Sequence, residues 1–220
     1  MPVNHKYKLI FLHIPKSAGS SVANFISSAT GEKWDLWGKY RDEEQYSELY
    51  PGRSSISRID PSRKDPRQKN NAYHHLILSD IKCAMGDDIF STYSKFCVIR
   101  NPWDRLVSMY EYGLARGGLM GTAGYTFEEW FYSRPVTPVL LPWIEINGCI
   151  PTDLTFINFD SFNNEVTKYL ANLGIDCNTL QMVHLKKSIR DDYKKYYNQD
   201  MLEKLSMECS ADIEYFKFKY

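Results

Sequence analysis

The stretch that most constrains this chain is Phe11-Leu12-His13-Ile14-Pro15-Lys16-Ser17-Ala18-Gly19-Ser20-Ser21. It follows the apolar run Leu9-Ile10-Phe11-Leu12 and precedes Val22-Ala23-Asn24-Phe25-Ile26, whose apolar residues recur at helical spacing. The pattern reads as strand, tight loop, helix. A loop of small residues opening a helix turns several backbone N–H groups toward one point, and the helix dipole favours negative charge there. Lys16 adds a mobile positive charge. The physical expectation is a cradle for a phosphate or phosphosulfate group. It is not a Walker A loop, which ends in Gly-Lys-Ser/Thr. Here the lysine precedes the glycine, and no Gly-Lys-Ser/Thr occurs in the chain.

A second anion-binding pattern lies in Cys97-Val98-Ile99-Arg100-Asn101-Pro102-Trp103-Asp104-Arg105-Leu106-Val107-Ser108. Lys95 to Arg100 is a compact apolar run and reads as a buried parallel strand. Asn101-Pro102 ends it, and proline suits the first turn of the helix that follows. Arg100 at the strand end and Ser108 two turns into the helix are suited to hold a phosphate together. Arg105 is open between a salt bridge to Asp104 or Glu111 and a bond to a backbone carbonyl.

Further strands and helices alternate. A short helix is expected over Ser79–Met85 with Ser79 as its cap, ended by Gly86-Asp87-Asp88. A helix over Thr126–Tyr132 is capped by Thr126. A strand over Leu154–Phe159 is followed by a helix capped by Asp160 and stopped by Gly174. A last helix is capped by Asp200 and reaches about Tyr215. Alternation of this kind predicts an α/β domain with a central parallel sheet flanked by helices, whose ligands bind at the carboxyl ends of the strands. Both motif loops leave strands at that edge.

At 220 residues the chain suits one domain. Between Pro51 and Asn71, six basic residues stand against Asp60 and Asp65, among three prolines. That composition reads as a mobile insertion. It is either a solvated loop or a basic flap over an anionic ligand. Lys and Arg number 27, as do Asp and Glu, so any anion site comes from local clustering and wholesale nucleic-acid binding is not favoured. Five cysteines without a Cys-x-x-Cys argue against a disulfide framework and a structural zinc site. They read as reduced, buried thiols. No run is apolar enough for a signal peptide or a membrane span, so a cytoplasmic location is expected.

The order His13-Ile14-Pro15-Lys16-Ser17-Ala18-Gly19-Ser20-Ser21 resembles the 5′-phosphosulfate loop of the carbohydrate sulfotransferases of the heparan sulfate 2-O and chondroitin type. Arg100-Asn101-Pro102-Trp103-Asp104-Arg105-Leu106-Val107-Ser108 resembles their 3′-phosphate motif. The resemblance continues through His75 with Asp80-Ile81-Lys82, through Thr155 to Phe162, through His184 to Tyr197, and in Asp212-Ile213-Glu214-Tyr215-Phe216. Two departures stand out: Lys186 where asparagine is usual, and Asn158 where arginine is usual. Without an apolar run of anchor length, the chain is similar either to soluble, bacterial-type members or to a catalytic domain cut from a longer, anchored protein.

The resemblance implies a P-loop-like three-layer sulfotransferase fold and sulfuryl transfer from 3′-phosphoadenosine 5′-phosphosulfate (PAPS), leaving the 3′,5′-bisphosphate (PAP), without a metal. The acceptor would be a hydroxyl, on a glycan or glycolipid. Lys16, Ser17, Ala18, Gly19, Ser20 and Ser21 would hold the 5′ end, and Arg100 and Ser108 the 3′-phosphate. Lys186, Ser188 and Arg190 would close over the nucleotide. Lys16 would also neutralise the leaving oxygen. His75 is the first candidate for the base and His74 the second, with an Asp or Glu as a further option. Two other readings remain open at this level: an ATP-dependent small-molecule kinase, and a non-catalytic nucleotide-binding module.

Overall fold

A computed structural model describes residues 3–31, 75–134, 136–177, 180–183 and 190–220. The insertion expected over about 51–71 lies outside them. In chain order the elements are β1 (Val3–Asn4), β2 (Leu9–Leu12), α1 (Gly19–Thr30), α2 (Leu78–Met85), α3 (Asp87–Ser91), β3 (Ser94–Ile99) and α4 (Pro102–Ala115). There follow α5 (Phe127–Ser133), α6 (Leu141–Ile144), β4 (Leu154–Asn158), α7 (Phe162–Asn172), α8 (Gln199–Glu208) and α9 (Ser210–Phe216). Among the described residues, no helix is long and apolar enough to cross a membrane.

The chain forms two units, Met1–Val98 with Pro142–Leu185, and Ile99–Leu141 with Lys186–Tyr220. The first is built on a four-stranded sheet in the order β1-β2-β3-β4. β2 and β3 run parallel, Leu9 opposite Ser94 and Leu12 opposite Cys97. Leu9, Ile10, Phe11 and Leu12 are all buried, so both sheet faces are covered, as a continuous apolar run demands. On one face, Leu9, Phe11, Phe96 and Val98 meet Val22, Phe25 and Ile26 of α1 and Phe162, Val166 and Leu170 of α7. Burying each such side chain stabilises the fold by roughly 1.5–3 kcal/mol. This packing fixes the two ends of the loop between β2 and α1.

The second unit gathers Trp103, Leu106, Val107 and Tyr110 of α4, Phe127, Trp130 and Phe131 of α5, and Met201 and Leu205 of α8. Arg105 is fully buried here. Its Nη1 donates to the carbonyls of Pro138 and Val139, each at 3.2 Å, and its charge faces Asp212. Asp212 is buried too and accepts the amides of Leu140 and, at 3.0 Å, Leu141. Burial lowers the Arg105 pKa to about 10, with Asp212 opposing the shift. Arg105 is therefore a structural residue that binds backbone carbonyls and not Asp104.

Several local expectations change. β1 is an added antiparallel edge, Val3 opposite Ile10, too short for its sequence to announce. α2 begins at Leu78 with Ile77 as its cap residue, so Ser79 lies inside the first turn, and Asp87–Ser91 continues as a further helical turn. Ser161, not Asp160, is the N-cap position of α7. Asn198, not Asp200, caps α8 by accepting the Met201 amide at 2.9 Å. The last helix breaks at Cys209. All five cysteines are free thiols, but Cys83 and Cys149 are exposed. Thr126 caps α5 in a full capping box with Glu129, as its sequence indicates.

Asp212→Ala orphans the buried amides of Leu140 and Leu141 and removes the carboxylate that Arg105 faces, and should cost about 1–3 kcal/mol in denaturant unfolding. Lys204→Ala, which breaks an exposed pair with Glu208, should cost less than about 1 kcal/mol. His5 lies against Tyr93, its Nδ1 2.8 Å from the phenol oxygen, and burial lowers its pKa from 6.5 to about 4. The unfolded chain therefore takes up this proton first as pH falls, and stability should drop between about 6.5 and 4. His5→Gln should remove that part of the slope in a pH series of melts.

Candidate functional site

In the first unit the site is the turn from β2 into α1. Lys16 has φ 65° and Ala18 has φ 57°, both in the left-handed region that side chains disfavour. Each such residue costs of order 1 kcal/mol and persists where its surroundings enforce it. Left-handed residues alternating with ordinary ones turn successive amides toward one side and make a nest for an anion. The nest runs into the N-terminus of α1, which has no side-chain cap and no acidic residue in its first turn. The Ser21 and Val22 amides donate to the Ala18 carbonyl, at 2.9 and 3.1 Å, so the helix start offers the nest the amides of Gly19 and Ser20. Ser21 is buried, and Lys16 and Ser20 are half-buried. Ser17 is 1% exposed, and its Oγ has no hydrogen-bond partner among the described residues. An orphaned buried hydroxyl in an anion nest fits a phosphate or phosphosulfate ligand.

His13 holds this turn in shape. Its ring lies over Gly19, where a Cβ would come 1.7 Å from the ring Cδ2 and 1.9 Å from Nε2. The position therefore admits only glycine while the ring stays in place. The ring also stacks on Phe11 at 5.9 Å between centroids.

His75 belongs to the same cluster. Its Nδ1 lies 2.9 Å from the His13 carbonyl oxygen, and the two imidazole centroids are 4.5 Å apart. A carbonyl only accepts, so Nδ1 carries the hydrogen. In the neutral ring Nε2 is then the basic nitrogen, the tautomer a general base requires. Trp143 stands edge-on to His75 at 6.4 Å between centroids. Nothing in its sequence context singles it out.

In the second unit, Arg100 and Ser108 are both buried. Asn101 caps α4 by accepting the Asp104 amide at 2.8 Å, which turns Asp104 back toward the strand end. Arg100 donates from Nε to Asp104 Oδ2 at 2.7 Å, and its Nη2 reaches the same oxygen at 2.7 Å. Arg190 donates from Nη2 to the other oxygen, Oδ1. Its Nη1 is buried with no hydrogen-bond partner among the described residues. Asp104, one of the three partners left open for Arg105, pairs instead with Arg100.

His74, Lys186 and Ser188 lie outside the described residues. Among the described residues, no group of three or more His, Cys, Asp or Glu side chains is set to hold a metal ion.

Gly19→Ala must displace the buried His13 ring and should cost roughly 1–3 kcal/mol in denaturant unfolding. Shrinking His13 to Ala in the same chain should remove the clash, so the two changes together should cost clearly less than their sum.

A family model described as the sulfotransferase family matches residues 1–131. No curated protein matches the chain, and no solved structure does. The matched stretch contains both anion motifs, from His13 to Ser21 and from Arg100 to Ser108. The chain belongs to the sulfotransferase family.

Proposed function

We propose that this protein transfers the sulfuryl group of PAPS to a hydroxyl of a carbohydrate or glycolipid. The observation that carries the proposal is the strained nest at Lys16 and Ala18, opening onto an uncapped helix with an orphaned Ser17 hydroxyl. Membership of the sulfotransferase family supports the reaction class. The amides of Ala18, Gly19 and Ser20, with the serine hydroxyls, bind the 5′ end, while the Ser21 amide donates to the Ala18 carbonyl at 2.9 Å. Arg100, Ser108 and Arg190 bind the 3′-phosphate, and Lys186 and Ser188 belong with them.

The chemistry asks the protein mainly for positioning and charge stabilisation in an in-line displacement. The acceptor oxygen forms a bond to sulfur as the bond from sulfur to the 5′-phosphate oxygen breaks. Lys16 offsets the charge that develops on that leaving oxygen. His75 Nε2 takes the acceptor's proton, while its Nδ1–H stays on the His13 carbonyl. His74 is the second candidate for that proton. The Trp143 indole beside His75 offers an apolar wall of the kind that the C–H face of a sugar packs against. A cytoplasmic setting goes with the five free thiols.

The test is a thermal melt with PAP beside one with ATP and magnesium. A ligand at about 100 times its Kd adds roughly 2.7 kcal/mol, a shift of about 5–10 °C for a chain of this size. PAP should shift the melt and ATP should not; the reverse result makes the protein a kinase. Lys16→Ala should lower sulfuryl transfer by about 10²–10³-fold without unfolding the chain. His75→Asn should lower kcat by about 10²–10⁴-fold with little change in the KM for PAPS.

A further inference from the structure

Asp104 is not one of the residues assigned to ligand binding above, yet it is the point on which Arg100 and Arg190 of the second unit converge. Its two carboxylate oxygens are divided between two arginines, Oδ2 to Arg100 and Oδ1 to Arg190. All three side chains are at least 87% buried, with exposures of 8% for Arg100, 11% for Asp104 and 13% for Arg190. Two guanidinium groups this close repel each other where water is scarce. One carboxylate between them offsets that repulsion, and the formal charge of these three side chains alone is +1.

The carboxylate is itself fixed. Asn101 accepts the Asp104 amide at the first turn of α4. The chain after Arg190 is laid along the same helix: Tyr197 donates to the Trp103 carbonyl at 2.8 Å, and Tyr196 donates to Glu111 at 2.6 Å. Arg190 is thus delivered to Asp104 by its own neighbours, and its buried Nη1 is left without an acceptor among the described residues. A charged donor stranded beside a second arginine calls for an anion from outside the chain.

We propose that Asp104 is a positioning residue that locks Arg100 and Arg190 into one two-pronged receptor for the 3′-phosphate of a nucleoside 3′,5′-bisphosphate. The proposal rests on the reading of the two arginines as the grip on that phosphate. It assigns to Asp104 the discrimination between nucleotides that carry a 3′-phosphate and those that lack it. Asp104→Asn keeps the shape but turns an N–H₂ toward one guanidinium, so it cannot hold both.

The test is calorimetric titration of the full chain with PAP and with adenosine 5′-phosphate, for the wild type, Asp104→Asn, Arg190→Gln and the double variant. Asp104→Asn should weaken PAP by roughly tenfold or more and leave adenosine 5′-phosphate unchanged. The KM for PAPS should rise in parallel, with kcat within about twofold. Because the two residues act as a unit, the double variant should bind PAP about as poorly as the weaker single variant. If Asp104→Asn does not fold, Asp104→Glu, which keeps the charge but lengthens the arm, should itself reduce the preference for PAP. The proposal is overturned if PAP binds Asp104→Asn as tightly as the wild type, if both nucleotides weaken equally, if the single losses add, or if Asp104→Glu keeps the full preference. A wild-type chain with no preference for PAP would instead bring down the sulfotransferase nucleotide reading, and this proposal with it.

Discussion

The structure of the first unit depends on holding a short backbone segment in a conformation it would not choose. Lys16 and Ala18 both sit at positive φ, and neither is glycine. What enforces this is the packing on either side. β2 is buried on both faces, and α1 is pinned through Val22, Phe25 and Ile26, so the loop must join two immovable ends. The His13 ring then fills the space over Gly19 and bars the loop from relaxing inward. The cost of the strained residues is small beside the burial of those core side chains. What is obtained is a set of amide donors aimed before any ligand arrives, and preorganisation of that kind is what makes electrostatic stabilisation effective.

His13 also joins two tasks that are usually described apart. Its ring shapes the anion nest and its carbonyl orients His75. Any movement of the β2–α1 turn therefore moves the hydrogen-bond acceptor that sets the tautomer of the candidate base. The turn and the candidate base are thus linked through one residue.

Much of this was legible in the sequence, and the failures have a common cause. β2, α1, β3 and α4 were readable because continuous apolar runs, helical spacing and Pro102 act locally. The turn from β2 into α1 was readable because small residues between an apolar run and a helical pattern are a local signal. Edges and caps were less readable. β1 exists only because β2 offers it a partner, and Asn198 displaced Asp200 as a cap by two positions. Side-chain partners were hardest. No spacing rule brings His13 over Gly19, Trp143 beside His75, or Asp212 to Arg105, because each contact is made by the fold and not by the segment. Asp104 is the instructive exception, since its spacing of four from Arg100 was visible and the adjacent Arg105 drew attention away.

The two arginines of the second motif show how one short sequence separates structure from chemistry. Arg105 lies inside a helix, deep in the core of its unit, and its charge is met by backbone carbonyls and Asp212. Nothing about it calls for a ligand. Arg100 stands at a strand end, where the chain has just left the sheet, and shares its carboxylate with a second arginine. One negative charge between two positive ones gives these three side chains a formal charge of +1. Arg105 holds a fold together. The pair that shares one carboxylate is the one proposed above as a receptor for an anion. The difference lies not in the arginines but in the count of carboxylates each is given, and the placing of Asp104 four residues after Arg100 sets that count.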